Sequence, residues 1–220
     1  MKKNMPAALI LLAALLQNAV PVGGLPAYDM YHENSDKPSW GVRLSGGLLK
    51  SAAGSIDMTN SSADVLDTGP GFSLSVSKRV SERFSTEITA GMGWMDLGDE
   101  LHETSSNFSL GTLVLSNSYS LIRTGRLDML IIAGGGMYYW RICREEVFGE
   151  ARQFEGEDLQ KISIGLKAGV GAEFEVSQRM SLTAESAYNY ILCRDTFHFG
   201  RGFTEQGIIN FNLGIRYYIR

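Results

Sequence analysis

The sequence predicts an all-β fold in which eight antiparallel strands run up and down and close into a barrel. Three observations predict it. Apolar residues recur at every second position over long stretches, the connections between those stretches alternate between tight and long, and the non-apolar face is mostly Gly, Ser, Thr and Asn. A period of two puts successive side chains on opposite faces of one strand, and no amphipathic helix produces it.

The first strand covers about 40–50, where Val42, Leu44 and Leu48 alternate with Arg43, Ser45 and Gly47. The second, 71–79, sets Phe72, Leu74 and Val76 against Ser73, Ser75 and Ser77. In the third, 83–95, Phe84, Thr86, Ile88, Ala90, Met92 and Trp94 oppose Ser85, Glu87, Thr89, Gly91 and Gly93. The fourth, 107–122, switches its apolar phase near Val114-Leu115, which predicts a bulge there. In the fifth, 127–141, Leu130-Ile131-Ile132 runs into Gly134-Gly135-Gly136, and the pattern leaves its two faces undistinguished. The sixth, 161–175, is the clearest: Ile162, Ile164, Leu166, Ala168, Val170, Ala172 and Phe174 alternate with Ser163, Gly165, Lys167, Gly169, Gly171 and Glu173. The seventh, 180–191, and the eighth, 208–219, repeat the pattern through Leu182, Tyr188 and Tyr190, and through Phe211, Leu213, Ile215, Tyr217 and Ile219.

Three connections are tight, at Val80-Ser81-Glu82, Thr124-Gly125-Arg126 and Val176-Ser177-Gln178. The other four, about 51–70, 96–106, 143–160 and 192–207, are long and polar. Strict alternation of this kind is expected of an up-and-down membrane barrel with short turns inside and long loops outside. Val80-Ser81-Glu82-Arg83-Phe84-Ser85 also echoes Val176-Ser177-Gln178-Arg179-Met180-Ser181, as a repeated hairpin turn with no solenoid period.

Alternation alone does not say which face points out, since a soluble barrel with an apolar interior alternates equally well. Three features favour a bilayer outside. Small, hydrogen-bonding residues suit a narrow eight-stranded interior better than a watery exterior. Aromatics gather at strand ends on the apolar face, with Phe72, Trp94, Phe108 and Tyr190 expected at the outer rim and Phe84 and Tyr217 at the inner rim. The apolar face is also nearly free of charge, Lys78 near an inner turn being the exception, where it can snorkel.

Residues 1–24 read as a signal peptide, with Lys2 and Lys3, an apolar stretch from Pro6 to Leu16 and small residues after it; cleavage could fall as late as 27. The mature chain then divides into a periplasmic N-terminal segment, 25–39, and the barrel, 40–220. Removing 1–24 takes away two lysines and no carboxylate, moving the net charge from −4 to −6 and arguing against nucleic acid as a partner.

Together these residues resemble the small outer-membrane β-barrel family that includes the transmembrane domain of outer membrane protein A and the outer membrane proteins X and W. The resemblance covers roughly 40–220 and is one of architecture more than of motif. Its most specific part is the last strand. The assembly signal of such barrels, polar-x-Gly-x-x-aromatic-x-hydrophobic, is matched in spacing by Asn212, Gly214, Tyr217 and Ile219, although the chain ends in Arg220 and not an aromatic. The resemblance implies a monomer in the outer membrane of a Gram-negative cell, inserted by the barrel assembly machinery and surrounded by outer-membrane lipid and lipopolysaccharide.

Candidate chemistry is sparse. Arg43, Glu87, Lys167, Glu173, Glu185 and Arg216 fall on the inward face, three of each sign, and must pair or hydrogen-bond in so narrow a lumen. The outer loops are acidic, with Asp96, Asp99, Glu100 and Glu103 in one and Glu145, Glu146, Glu150, Glu155, Glu157 and Asp158 in another. These form either a solvated surface or a set of oxygen ligands sharing divalent cations with lipopolysaccharide phosphates. Cys143 and Cys193 are a candidate disulfide of an exported protein. No catalytic, cofactor-binding or metal-binding constellation is expected, and no cofactor. The reading is a non-enzymatic outer-membrane barrel with a structural, envelope or surface-interaction role. The alternative is a narrow pore or small hydrophobic-solute conduit. A lipid A-modifying enzyme, the third reading, would need His102 or His198 to converge with a Ser and an acid at the outer rim.

Overall fold

The computed structural model describes residues 40–54, 65–98, 106–144, 149–154, 156–193 and 204–219. The signal peptide and the segment 25–39 lie outside the described residues, as do His102, His198, Asp99, Glu100, Glu103, Glu145, Glu146 and Glu155.

The strands are β1 Trp40–Ala53, β2 Val65–Leu66, β3 Gly69–Arg79, β4 Phe84–Gly98, β5 Ser106–Thr124, β6 Leu127–Arg144, β7 Gln153–Phe154, β8 Glu157–Asp158, β9 Gln160–Ser177, β10 Met180–Ile191 and β11 Gln206–Ile219. Eight of them are long. They follow one another around the molecule as β1, β3, β4, β5, β6, β9, β10 and β11, each antiparallel to the next, and β11 pairs back onto β1 from Trp40↔Ile219 to Ala53↔Gly207. The sheet is a closed eight-stranded barrel. Closure leaves no long strand with an open edge, which is the condition for a sheet to sit in hydrocarbon without water. The short pieces are accessory: β2 adds to the outer end of β4, and β7 with β8 forms a separate small hairpin between β6 and β9.

The faces divide as the alternation requires. Ile164, Leu166, Val170 and Ile215 are 66%, 36%, 57% and 51% exposed, whereas Ser75, Ser116, Ser163 and Thr183 on the other face are buried. Exposed apolar side chains circle the barrel on every long strand, from Leu44 through Leu74, Ile88, Leu115, Ile131 and Ile164 to Leu182 and Leu213. A contiguous apolar belt of this kind is far larger than a soluble monomer shows, and a bilayer is the solvent that suits it.

Two expectations are corrected by the structure. No register shift occurs at Val114-Leu115; the irregularity in β5 lies between Ser120 and Ile122. Phe108, expected on the outer aromatic rim, is fully buried and stacks on Trp140 at 6.4 Å. Both have one cause. The strand keeps its phase through this region, but its lining changes. In its outer third both faces of the strand are buried, Phe108 and Leu110 inward and Asn107 and Ser109 on the other side; beyond Leu113 the inward residues become Ser116, Ser118 and Ser120, and Leu115 and Tyr119 are exposed on the outward face. The apparent switch in the sequence is a change of surroundings along a straight strand.

The Gly134-Gly135-Gly136 run of β6 is also accounted for. A Cβ on Gly136 would lie 2.1 Å from the carbonyl oxygen of Leu113, and one on Gly134 would lie 2.3 Å from that of Leu115, so β5 and β6 approach too closely for side chains there. Leu213, mid-strand in β11 and 71% exposed, offers a direct test of the lipid face. Leu213→Arg is expected to cost roughly 2–4 kcal/mol of stability in lipid vesicles, as an arginine near mid-bilayer does. Urea titration of wild type and variant in phosphatidylcholine vesicles measures it, and an unchanged midpoint would place water there.

Candidate functional site

The closing pair of strands creates an electrostatic problem. Its register sets Arg43 of β1 directly opposite Arg216 of β11, and two like charges in facing positions repel. The resolution comes from across the lumen. Glu87 of β4 accepts from Arg43 Nη2 through Oε1 at 2.5 Å and from Arg216 Nη2 through Oε2 at 2.6 Å. One carboxylate thereby clamps two guanidinium groups.

The clamp is the centre of a longer chain. Arg43 Nη1 also donates to Glu185 Oε2 at 2.8 Å, and Glu185 Oε1 faces Lys167 Nζ at 2.6 Å. At the other end, Arg216 Nη1 donates to Glu173 Oε2 at 2.5 Å, and the Tyr218 hydroxyl donates to the remaining Glu173 oxygen. The order Lys167, Glu185, Arg43, Glu87, Arg216, Glu173 alternates in sign along its whole length and sums to zero. Thr89 donates to Glu87 at 3.1 Å and shares a 3.0 Å hydrogen bond with Ser75, so small hydroxyls fill the gaps around the ions. All six charged residues proposed from the inward-face pattern are in this one network. Alternation supplies their face but not their partners, and it does not single out Tyr218, whose hydroxyl ends the chain.

Nearer the outer end the interior changes character. Met95, Leu97, Phe108, Leu110, Tyr138, Trp140, Ile142, Ile191 and Ile208 form a buried apolar cluster. Its polar edges are satisfied: Tyr138 donates to Asn189 at 3.0 Å, Asn189 to Asn210 at 3.0 Å, and Trp140 Nε1 to Ser163 at 3.0 Å. Between this cap and the ionic chain lies a cavity of about 60 Å³, lined among others by Thr112, Lys167, Asn189, Asn210 and Asn212. The sequence reading missed the cap. Its signal was the inward phase of Phe108 and Leu110 in β5 and of Tyr138, Trp140 and Ile142 in β6, where the outward positions Asn107, Ser109 and Arg141 are polar.

The candidate disulfide is not formed: Cys143 and Cys193 are both free and buried. Their surroundings keep them apart. Cys143 lies on β6 opposite Asn107, bridged by Ala151, with its sulfur 3.9 Å from Ser109 Oγ. Cys193 follows β10, joins the apolar cap and donates to the Thr204 carbonyl at 3.4 Å. The whole of β9 stands between their strands. Burial pushes the Cys193 thiol up to about 11, so it remains protonated at neutral pH.

On β11, Tyr217 and Ile219 of the expected assembly signal face outward and are about half exposed, while Asn212 and Gly214 turn inward. A Cβ on Gly214 would lie 2.6 Å from the Leu44 carbonyl oxygen and 2.7 Å from Ser45 Cβ, so packing against β1 alone demands glycine there. Among the described residues no group of three or more His, Cys, Asp and Glu side chains is placed to hold a metal ion.

Two solved structures have the same fold. Neisserial surface protein A aligns with a TM-score of 0.55 at 16% identity, covering 82% of this chain and 97% of that one. A major outer membrane protein from Thermus thermophilus aligns at 0.52 and 11% identity, covering 82% and 100%. No protein-family model and no curated protein matches the chain. The shared feature is the fold, that of the small outer-membrane barrels.

Two outcomes follow from this geometry. Glu87→Gln leaves Arg43 and Arg216 facing each other without their clamp, an expected loss of about 3–5 kcal/mol. Arg43→Met in the same background should recover part of it, as a double-mutant cycle by urea unfolding would register. Second, neither thiol of the folded protein should react with a maleimide at pH 7, both should react in denaturant, and migration should be the same with and without reductant.

Proposed function

We propose that the chain is an integral outer-membrane β-barrel with a structural, envelope or surface-interaction role, and that its lumen neither conducts nor catalyses. The observation that carries this reading is the unbroken chain of ion pairs across the lumen. The side chains of Arg43, Glu87 and Glu185 are 6%, 9% and 2% exposed, so they fill the section in which a pore would need a file of water. The apolar cap supports the same reading, since it sits over the ionic chain with Trp140, Tyr138 and Phe108 fully buried.

The apolar belt supports a bilayer location, and cleavage of the signal peptide with insertion by the barrel assembly machinery through β11 fits an outer-membrane address. The exposed carboxylates of Asp96, Glu150, Glu157 and Asp158 at the outer end suit a surface that shares divalent cations with lipopolysaccharide. Closure without an open edge suits a monomer.

Two measurements test this. In the outer-membrane fraction the protein should migrate faster unboiled than boiled. In planar bilayers at 1 M salt the purified barrel should give no discrete conductance steps; regular steps above the empty-bilayer background would establish a pore instead.

A further inference from the structure

The three tight turns share a feature that neither the ionic chain nor the cap uses. Each ends in an arginine followed at once by the first residue of the next strand: Arg83-Phe84, Arg126-Leu127 and Arg179-Met180. All three arginines are exposed. Phe84, Leu127 and Met180 are exposed as well, at 37%, 41% and 38%, and belong to the inner margin of the apolar belt. A fourth cation stands at the same level. Lys78 is exposed and lies over the ring of the half-exposed Trp40 at 5.4 Å, an ammonium on an interfacial aromatic. None of these four side chains makes an ion pair with a described residue.

The three arginines sit at every second strand junction along the inner rim, and Lys78 stands on β3 beside the first of them. Lys78 with Trp40 marks β1 and β3, Arg83 joins β3 to β4, Arg126 joins β5 to β6, and Arg179 joins β9 to β10. Within two residues of the three turns, six basic residues (Lys78, Arg79, Arg83, Arg123, Arg126, Arg179) face three acidic ones (Glu82, Asp128, Glu175). Arg123 is committed to Asp128 at 2.6 Å, and Arg79 stacks on Tyr218. The remaining excess is distributed around the circumference. A small ligand would be met by charges converging on one cleft; charges spread around a rim, beside the apolar belt, meet a ligand that surrounds the barrel.

We propose that Lys78, Arg83, Arg126 and Arg179 form a collar that binds the phosphodiester groups of anionic phospholipids in the inner leaflet, drawing phosphatidylglycerol-type headgroups to the barrel. Guanidinium groups present paired donors that match phosphate oxygens, and long basic side chains reach from an apolar margin to the headgroup plane. A basic residue near an anionic membrane surface gains about 1 kcal/mol, which is about fivefold in association. The acidic outer end has the opposite preference. The collar therefore also fixes which end of the barrel meets which leaflet. It rests on the membrane-embedded reading given above.

The test uses the full mature protein with Trp94→Phe, so that Trp40 is the exposed indole, in vesicles of phosphatidylcholine with 20% phosphatidylglycerol. Brominated phosphatidylglycerol and brominated phosphatidylcholine are compared as quenchers. Wild-type protein should be quenched preferentially by the phosphatidylglycerol, by a factor of about five at low salt and close to one at 1 M salt. Arg83→Gln/Arg126→Gln/Arg179→Gln should lose most of the preference, and the corresponding triple Lys variant should keep it. If the triple Gln variant fails to insert, each single Gln variant, read the same way, should lose part of it. Equal quenching of wild type by the two lipids, or a preference unaffected by the Gln replacements, overturns the proposal. Sedimentation with peptidoglycan sacculi that depends on the arginines, with no lipid preference, assigns the collar to a periplasmic polymer and overturns it too. Heat-modifiable migration in the same vesicles reports insertion separately, so failure of the collar and failure of the membrane reading are distinguishable.

Discussion

Pairing of the first strand with the last is the contact on which the rest of the molecule depends. Each unpaired backbone group facing hydrocarbon costs several kcal/mol, so a sheet with two free edges is not an option in a bilayer. Once β11 docks on β1, the register is fixed by Trp40↔Ile219 and continues to Leu48↔Phe211 without interruption. That register places Arg43 against Arg216, and from this follow the position of Glu87 between them, the second carboxylate Glu185 beyond Arg43 and the third, Glu173, beyond Arg216. The interior is the electrostatic consequence of how the cylinder is sealed.

The lumen is filled by two different means, and the reason is position. In the inner half, charges and hydroxyls pair with one another in a space walled off by hydrocarbon-facing strands, leaving only Nε of Arg43 and of Arg216 among the buried guanidinium nitrogens of the described residues without a hydrogen bond. In the outer third, Phe108, Trp140, Tyr138 and Ile142 fill the interior with apolar packing, and the polar Asn107 and Ser109 on the other side of β5 are buried as well. β5, β6 and β9, of 19, 18 and 18 residues, are much longer than the roughly 9–11 residues a tilted strand needs to span the hydrocarbon. One continuous sheet therefore encloses an ionic interior at one end and an apolar one at the other. Buried ions are seldom a net gain over apolar packing of the same volume. Their retention here makes every neighbour in the chain dependent on the others.

Much of this was legible in the sequence because a strand with one solvent on each side writes its environment into alternate letters. The strand count, the tight and long connections, the outward row of Ile164, Leu166, Val170 and Ile215 and the inward charges could all be read from period and composition. Legibility failed where the environment changed along a strand. The phase of Phe108 and Leu110 looked like a bulge because a period says that two faces differ, not what each face meets, and here both faces are buried. The partners of the six charges were equally hidden, since pairing depends on which side chains meet across a lumen, and that is set by shear and register. The thiols show the same limit: Cys143 and Cys193 have similar sequence contexts, yet one sits beside Ser109 on the outward side of β6 and the other in the apolar cap.

The Glu87 clamp joins residues from β1, β4 and β11, so it spans almost the entire barrel sequence. Glu87 and Arg43 come together through neighbouring hairpins early in the chain, but Arg216 arrives only with the final strand. Contacts this distant in sequence form late and slowly, because the loop entropy between them must be lost first. Until then Arg216 and Glu173 have to remain hydrated. The buried ionic chain thus couples desolvation to the last topological event: the cylinder cannot dry out inside before its two ends of sequence have met.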